Sequence, residues 1–246
     1  MKEISIVFGG LTDPGILNKK NEDSVACKTK NIGGSDCGFF AIADGVGGLM
    51  NGDVASRMAT CNMAACWDSV TGSECRHEAV SQALMACVEK TNLDIMNLSK
   101  QQGKKMATTL SALAITGNEG FIAHIGDSRI YRFHRGLLGA GFQQLTKDHS
   151  CMVRTETDGR VYQKSVLTEC LGYKEAIHPY YSTFSLCRGD IYFICSDGAY
   201  KTMTNDNLKR HISESADMPS VCHNIVNQAK VNNEKDNISV IAINIQ

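Results

Sequence analysis

The order of apolar runs constrains the fold of this chain more than any other feature. Ser24–Cys27 and Gly38–Ala43 flank a Gly33-Gly34 turn and read as a β-hairpin. A helical pattern follows, started by Asn51, with Val54, Met58, Cys61 and Ala65 on one face. A second runs from about Glu74 to Gln101, with Val80, Leu84, Val88, Thr91, Ile95 and Leu98 on its apolar face. Strand-like runs come next at Ala107–Thr116, Phe121–Ile125 and Ile130–Phe133. Phe142–Leu145 then precedes a polar, irregular stretch to about Ser165. Ile191–Cys195 reads as another buried strand, Asn205–Ser213 and Pro219–Val231 as helices, and Ile238–Ile245 as a closing strand. Strands, a helix pair, more strands, a second helix pair and a final strand give an α+β fold with mainly antiparallel sheets, unlike a repeating βαβ chain. Two sheets with the helix pairs outside would bury all these runs. With 246 residues, three prolines and no low-complexity linker, 1–246 reads as a single domain.

Composition removes several function classes. A net charge of −1 provides no basic face for nucleic acid or an anionic membrane. No run approaches the ~20 apolar residues of a membrane span, and the opening MKEISIVFGG is too short in apolar residues for a signal peptide. The eleven cysteines form no Cys-x-x-Cys pair, and most fall within apolar patterns. They read as reduced residues of a cytoplasmic protein.

Acidic residues gather at the ends of the strands. Asp44 ends GFFAIA, Asp127 follows FIAHIG, Asp197 follows IYFICS, and Asp236 stands just before ISVIAINI. Glu22 and Asp23 stand just before SVAC. In an antiparallel hairpin the end of one strand lies beside the start of the next, so Glu22 and Asp23 should meet Asp44. Asp236 should meet Asp197 if their strands are neighbours. Carboxylates gathered in this way repel one another unless cations stand between them. Such hard oxygen donors suit Mn²⁺ or Mg²⁺. Glycines directly after Asp44 and Asp197 permit tight turns and close backbone approach.

In order along the chain, TDPGILNKKNEDS, ADGVGG, MATTL, HIGDSRIYR, LTKDHS, CSDG and DNISV closely resemble the motifs of the PPM-type (type 2C) metal-dependent serine/threonine protein phosphatases, in their compact bacterial form. The resemblance implies a four-layer α-β-β-α sandwich, two antiparallel sheets flanked by helix pairs. It also implies hydrolysis of phosphoserine and phosphothreonine on proteins by a metal-activated water, without a phosphoenzyme. Asp44 would bridge two tightly held cations, with the Gly45 carbonyl as a further ligand. Asp197 and Asp236 would hold the first of them. Glu22 would act through water with Asp23 supporting it, and Asp127 would hold a third, weaker cation. Asn237 would orient the Asp236 carboxylate. The expected partners are phosphorylated protein substrates of a serine/threonine kinase, approached by a monomer.

Two positions depart from that family. Val46 replaces the histidine that eukaryotic members carry in the DG-x-GG turn. Asn18 stands where an arginine usually forks onto the substrate phosphate, with Lys19 and Lys20 following as point charges or as a solvated turn. The alternative function is therefore a pseudophosphatase that binds a phosphoprotein without efficient turnover. The segment between His149 and Leu171 corresponds to the family's flap beside the site, and Arg154 and Arg160 are its candidate substrate contacts. His124 and His149 read as packing residues.

Overall fold

The computed structural model describes residues 3–17, 20–46, 51–72, 75–136, 139–157 and 160–246. Its elements run β1 (Ile6–Asp13), β2 (Asp23–Ile32), β3 (Ser35–Asp44), α1 (Gly52–Val70), α2 (His77–Gln102), β4 (Leu110–Thr116), β5 (Glu119–Ile125), β6 (Arg129–Gly136) and β7 (Gly139–Gln144). They continue with β8 (Ser150–Thr157), β9 (Arg160–Leu167), β10 (Tyr180–Ser185), β11 (Ile191–Cys195), α3 (Asp197–Tyr200), α4 (Asn205–Glu214), α5 (Met218–Val231) and β12 (Ile238–Ile245). One five-stranded sheet has the order β1-β12-β11-β6-β7 and the other β10-β5-β4-β3-β2. Their strand pairs are antiparallel.

Strand alternation builds the layers. In β3, Phe40 and Ile42 point between the sheets, where they meet Leu113, Ile130, Ile194 and Ile241. Phe39 and Ala41 point the opposite way, into a core with Trp67 of α1 and Leu84 of α2. In the other sheet Phe193 and Val240 face Leu208 of α4 and Ile225 of α5. A period of two on each strand and an apolar stripe on each helix thus give the expected α-β-β-α stack. The β2–β3 hairpin turns at Gly33 and Gly34, both at positive φ (62° and 88°), as glycine allows. Asn51 does precede α1, but its side chain donates to Gln102 Oε1 at 3.1 Å in place of capping the helix.

Four strands differ from the sequence expectation. The stretch read as irregular up to Ser165 is a two-stranded hairpin, β8–β9, outside both large sheets. Its polar composition reflects that position, for Met152 is 63% exposed and no buried face demands alternation. The strand β1 is broken in pattern by Gly9-Gly10, and the packing explains Gly9. A Cβ there would lie 2.7 Å from the Met218 carbonyl oxygen, where α5 crosses the strand. The strand β10 carries mostly half-exposed side chains on a sheet edge, so its apolar signal is weak.

Because Phe40 is fully buried between the sheets, Phe40→Ala should cost about 3–5 kcal/mol. Urea unfolding of the purified variant measures this. A loss below about 1 kcal/mol would contradict the layered core.

Candidate active site

One end of the sandwich collects the acids. Antiparallel pairing sets Asp23 directly opposite Asp44, the last residue of β3. The strands β11 and β12 are neighbours, which brings the start of α3 at Asp197 toward Asp236 just before β12. Glu22, Asp44, Gly45, Asp127, Asp197, Asp236 and Asn237 line one cavity of about 460 Å³. The opposite wall is formed by Lys164, Val166 and Leu167 of β9, followed by Thr168, Cys170 and Tyr173. The hairpin that looked irregular in sequence therefore walls the site, as its place in the motif order implied.

Backbone contacts fix the acids where they are. The Asp44 N–H donates to Thr109 Oγ1 at 3.0 Å, and its carbonyl accepts from the Thr108 hydroxyl at 2.9 Å. Both threonines belong to the MATTL motif. A Cβ on Gly45 would lie 2.5 Å from the Gly52 carbonyl oxygen and 2.7 Å from that of Glu22, so only glycine fits this turn. Asn237 touches the expected Asp236 through its backbone and Glu22 through its side chain. Its Oδ1 accepts from the Glu22 N–H at 2.8 Å and its Nδ2 donates to the Pro14 carbonyl at 3.1 Å, while the backbone N–H of Asn237 holds Asp236 Oδ1 at 3.0 Å. Asp23 lies behind the cavity wall, where Oδ2 accepts from Ser196 Oγ at 2.8 Å. Arg129 is doubly bonded to Asp148, tying the GDSR motif to the KDHS motif, and its guanidinium lies 3.6 Å over the Tyr200 ring. The Tyr200 hydroxyl in turn donates to the Asp127 carbonyl at 2.9 Å.

Crowding shows in the electrostatics. Burial, together with Asp23 and the other acids, pushes the Asp44 carboxyl well above its ordinary range. Burial raises Asp23 to about 7, against the pull of its serine hydrogen bonds, and raises Asp127 to about 6 with help from Asp197. Glu22 is raised by burial and then by Asp53. Among the described residues no three acidic, His or Cys side chains form a ready-made metal cage. Their chemistry fits divalent cations all the same. The donors are hard oxygens, and the buried Asp197 Oδ1 has no hydrogen-bond partner.

Several sequence candidates sit elsewhere. Lys20 pairs with Asp53 at 2.6 Å and is not among the residues lining the cavity, while Asn18 and Lys19 lie outside the described residues. Arg154 is exposed, and the Arg160 side chain is outside the description. His124 and His149 pack against each other with ring centroids 5.1 Å apart, next to the Gly126 turn. Sequence reasoning missed Lys201. Its ammonium contacts Asp197 Oδ2 and lies 3.8 Å from Asp236 Oδ2. Burial lowers this ammonium, but Asp197 more than compensates and holds it above its ordinary value. The available signal was its spacing, four residues after Asp197 at a helix start.

Comparison with known proteins agrees with the geometry. The protein phosphatase 2C family model matches residues 18–233. Protein phosphatase PhpP of Streptococcus pneumoniae is 29% identical over 245 residues, covering 96% of each chain. The S. agalactiae serine/threonine phosphatase structure superposes with a TM-score of 0.83 at 23% identity, over 98% of this chain and 100% of that one. The catalytic domain of serine threonine protein phosphatase PstP, solved with two manganese ions, gives a TM-score of 0.77 at 24% identity, over 98% and 99% of the two chains. Fold and sequence together define a protein phosphatase. The chain belongs to the protein phosphatase 2C family.

The raised Asp23 carboxyl makes a linkage prediction. Burial holds the folded Asp23 carboxyl at about 7, well above the ordinary carboxylate range, so it stabilises the metal-free protein at low pH, and that contribution is lost as pH rises to about 7. In EDTA, the melting temperature of Asp23→Asn relative to wild type should therefore rise between about pH 4 and about pH 7 and level off above that. A pH-independent difference would show that Asp23 is not a strained carboxyl.

Proposed function

We propose that this phosphatase hydrolyses phosphoserine and phosphothreonine on proteins through two tightly held divalent cations, Mn²⁺ or Mg²⁺, with a third, weaker one at Asp127. The observation that carries the reading is the gathering of Glu22, Asp44, Asp127, Asp197 and Asp236 around one cavity. Asp44 would reach both cations, the Gly45 carbonyl would be a further ligand, and Asp197 and Asp236 would hold the first. When bound, the cations supply Lewis-acid polarisation of the phosphate and a water acidic enough to attack it. The chain's own task is to orient the reactants. Glu22, fixed through its backbone by Asn237, faces the cavity as a water-orienting carboxylate. Asp23, held by Ser196 and paired opposite Asp44, would support Glu22 from behind the cavity wall. Cys170 also lines the cavity, yet burial pushes its thiol up to about 11. It stays protonated near neutral pH and makes a poor nucleophile, which favours direct attack by water over a cysteinyl intermediate.

The pseudophosphatase alternative gains nothing from the comparisons, whose relatives are named as phosphatases. Phosphorylated proteins are the substrate class of the family, and a serine/threonine kinase is the proposed source of the phosphate. The core between the sheets joins β1 and β12, from opposite ends of the chain, which supports reading 1–246 as one catalytic domain. The cysteines are free thiols, and among the described residues no helix is long and apolar enough to cross a membrane. The free thiols favour the proposed location in the cytoplasm.

The test is turnover of para-nitrophenyl phosphate and of a phosphothreonine peptide with Mn²⁺, with and without EDTA. Wild type should be active with metal and silent with EDTA. Asp44→Asn should lose more than about a hundredfold in kcat while remaining folded by circular dichroism. Substantial Mn²⁺-dependent turnover in that variant would overturn the bridging role of Asp44.

A further inference from the structure

The lysine between two of the proposed ligands has no part in the family pattern drawn above. The residue follows α3 directly, and its backbone N–H donates to the Asp197 carbonyl at 2.9 Å. That bond returns the side chain over the residue four positions earlier, so the ammonium meets Asp197 and approaches Asp236. These two carboxylates come from different elements, the start of α3 and the approach to β12, and Lys201 spans them. Its side chain is nonetheless 45% exposed, as against 12% for Asp197. A flexible four-carbon stem with an open side toward the cavity can leave the pair without unpacking the core.

We propose that Lys201 is a tethered counter-cation which occupies the Asp197–Asp236 site in the metal-free protein, and which a divalent cation must displace in order to bind. The proposal rests on the metal-site reading of the preceding subsection. One positive charge cannot satisfy the cluster, since Asp197 Oδ1 stays without a partner. It does offset repulsion between Asp197 and Asp236, which lowers the free energy of the empty site and so weakens metal binding by the same amount. Once displaced, the ammonium stays within reach of the cavity rim, because the Lys201 backbone is fixed by its bond to the Asp197 carbonyl. Lys201 is thus a positioning residue for the metal, acting through the carboxylates it holds.

Two readouts moving in opposite directions separate this role from a merely structural one. Lys201→Met, with Lys201→Gln as a second variant should the first fail to fold, is compared with wild type by calorimetric titration of Mn²⁺ and by melting in EDTA. The variants should bind Mn²⁺ roughly tenfold tighter and melt lower without metal, because the acids then face each other uncompensated. Lys201→Arg should restore wild-type values in both measurements. Unchanged or weaker Mn²⁺ binding in folded variants would overturn the proposal while leaving the metal site standing. No Mn²⁺ binding in any of the proteins, wild type included, would overturn the metal-site reading and the proposal with it.

Discussion

Repulsion among carboxylates is the constraint on which the arrangement depends. Antiparallel pairing leaves no freedom about where strand ends go, so Asp23 must face Asp44 once β2 and β3 pair. Pairing of β11 with β12 brings Asp197 and Asp236 together in the same way. Asp23, Asp44 and Asp127 sit where burial makes their charge costly, and their upward shifts record that cost. A protein selected for stability alone would not concentrate charge at a sheet edge. On the proposed reading this strain is what would attract cations, and the rest of the sandwich holds the acids in place.

The core has the strength to do so. Two sheets bury Phe40, Ile42, Ile194 and Ile241 between them, and a helix pair seals each outer face. Around the site, small hydrogen-bonded groups do the fine positioning. Thr108 and Thr109 fix the Asp44 backbone, Asn237 fixes Glu22, and Ser196 holds Asp23. Arg129, Asp148 and Tyr200 link three separate motif segments behind Asp127. The order of motifs in the sequence is therefore the order in which the chain returns to one end of the sandwich.

The acids were legible in the sequence because each adjoins a buried strand whose apolar run is unmistakable. Glycine after Asp44 was equally legible, and the contacts of Gly45 with Gly52 and Glu22 give the reason for it. What the sequence hid had weaker patterns. The edge strand β10 and the detached hairpin β8–β9 bury no continuous face, and Gly9, needed for α5 to approach β1, interrupts that strand's alternation. Lys201 was hidden for another reason. A lysine four residues after an aspartate is ordinary on a helix surface, and only the neighbouring strand that delivers Asp236 makes it a bridge. The proposed phosphate contacts at Asn18 and Lys19 fall outside the described residues, and Lys20 is engaged by Asp53.

The central claim is that this acidic end of the sandwich is a two-cation centre. Anomalous scattering from crystals grown with Mn²⁺, collected at the manganese absorption edge, tests it most directly. The account predicts two strong peaks inside the cavity, one of them shared by Asp44, Asp197 and Asp236, with the Lys201 ammonium moved away from Asp197. Peaks elsewhere on the surface, or an empty cavity with Lys201 still seated on Asp197 at saturating Mn²⁺, would contradict it.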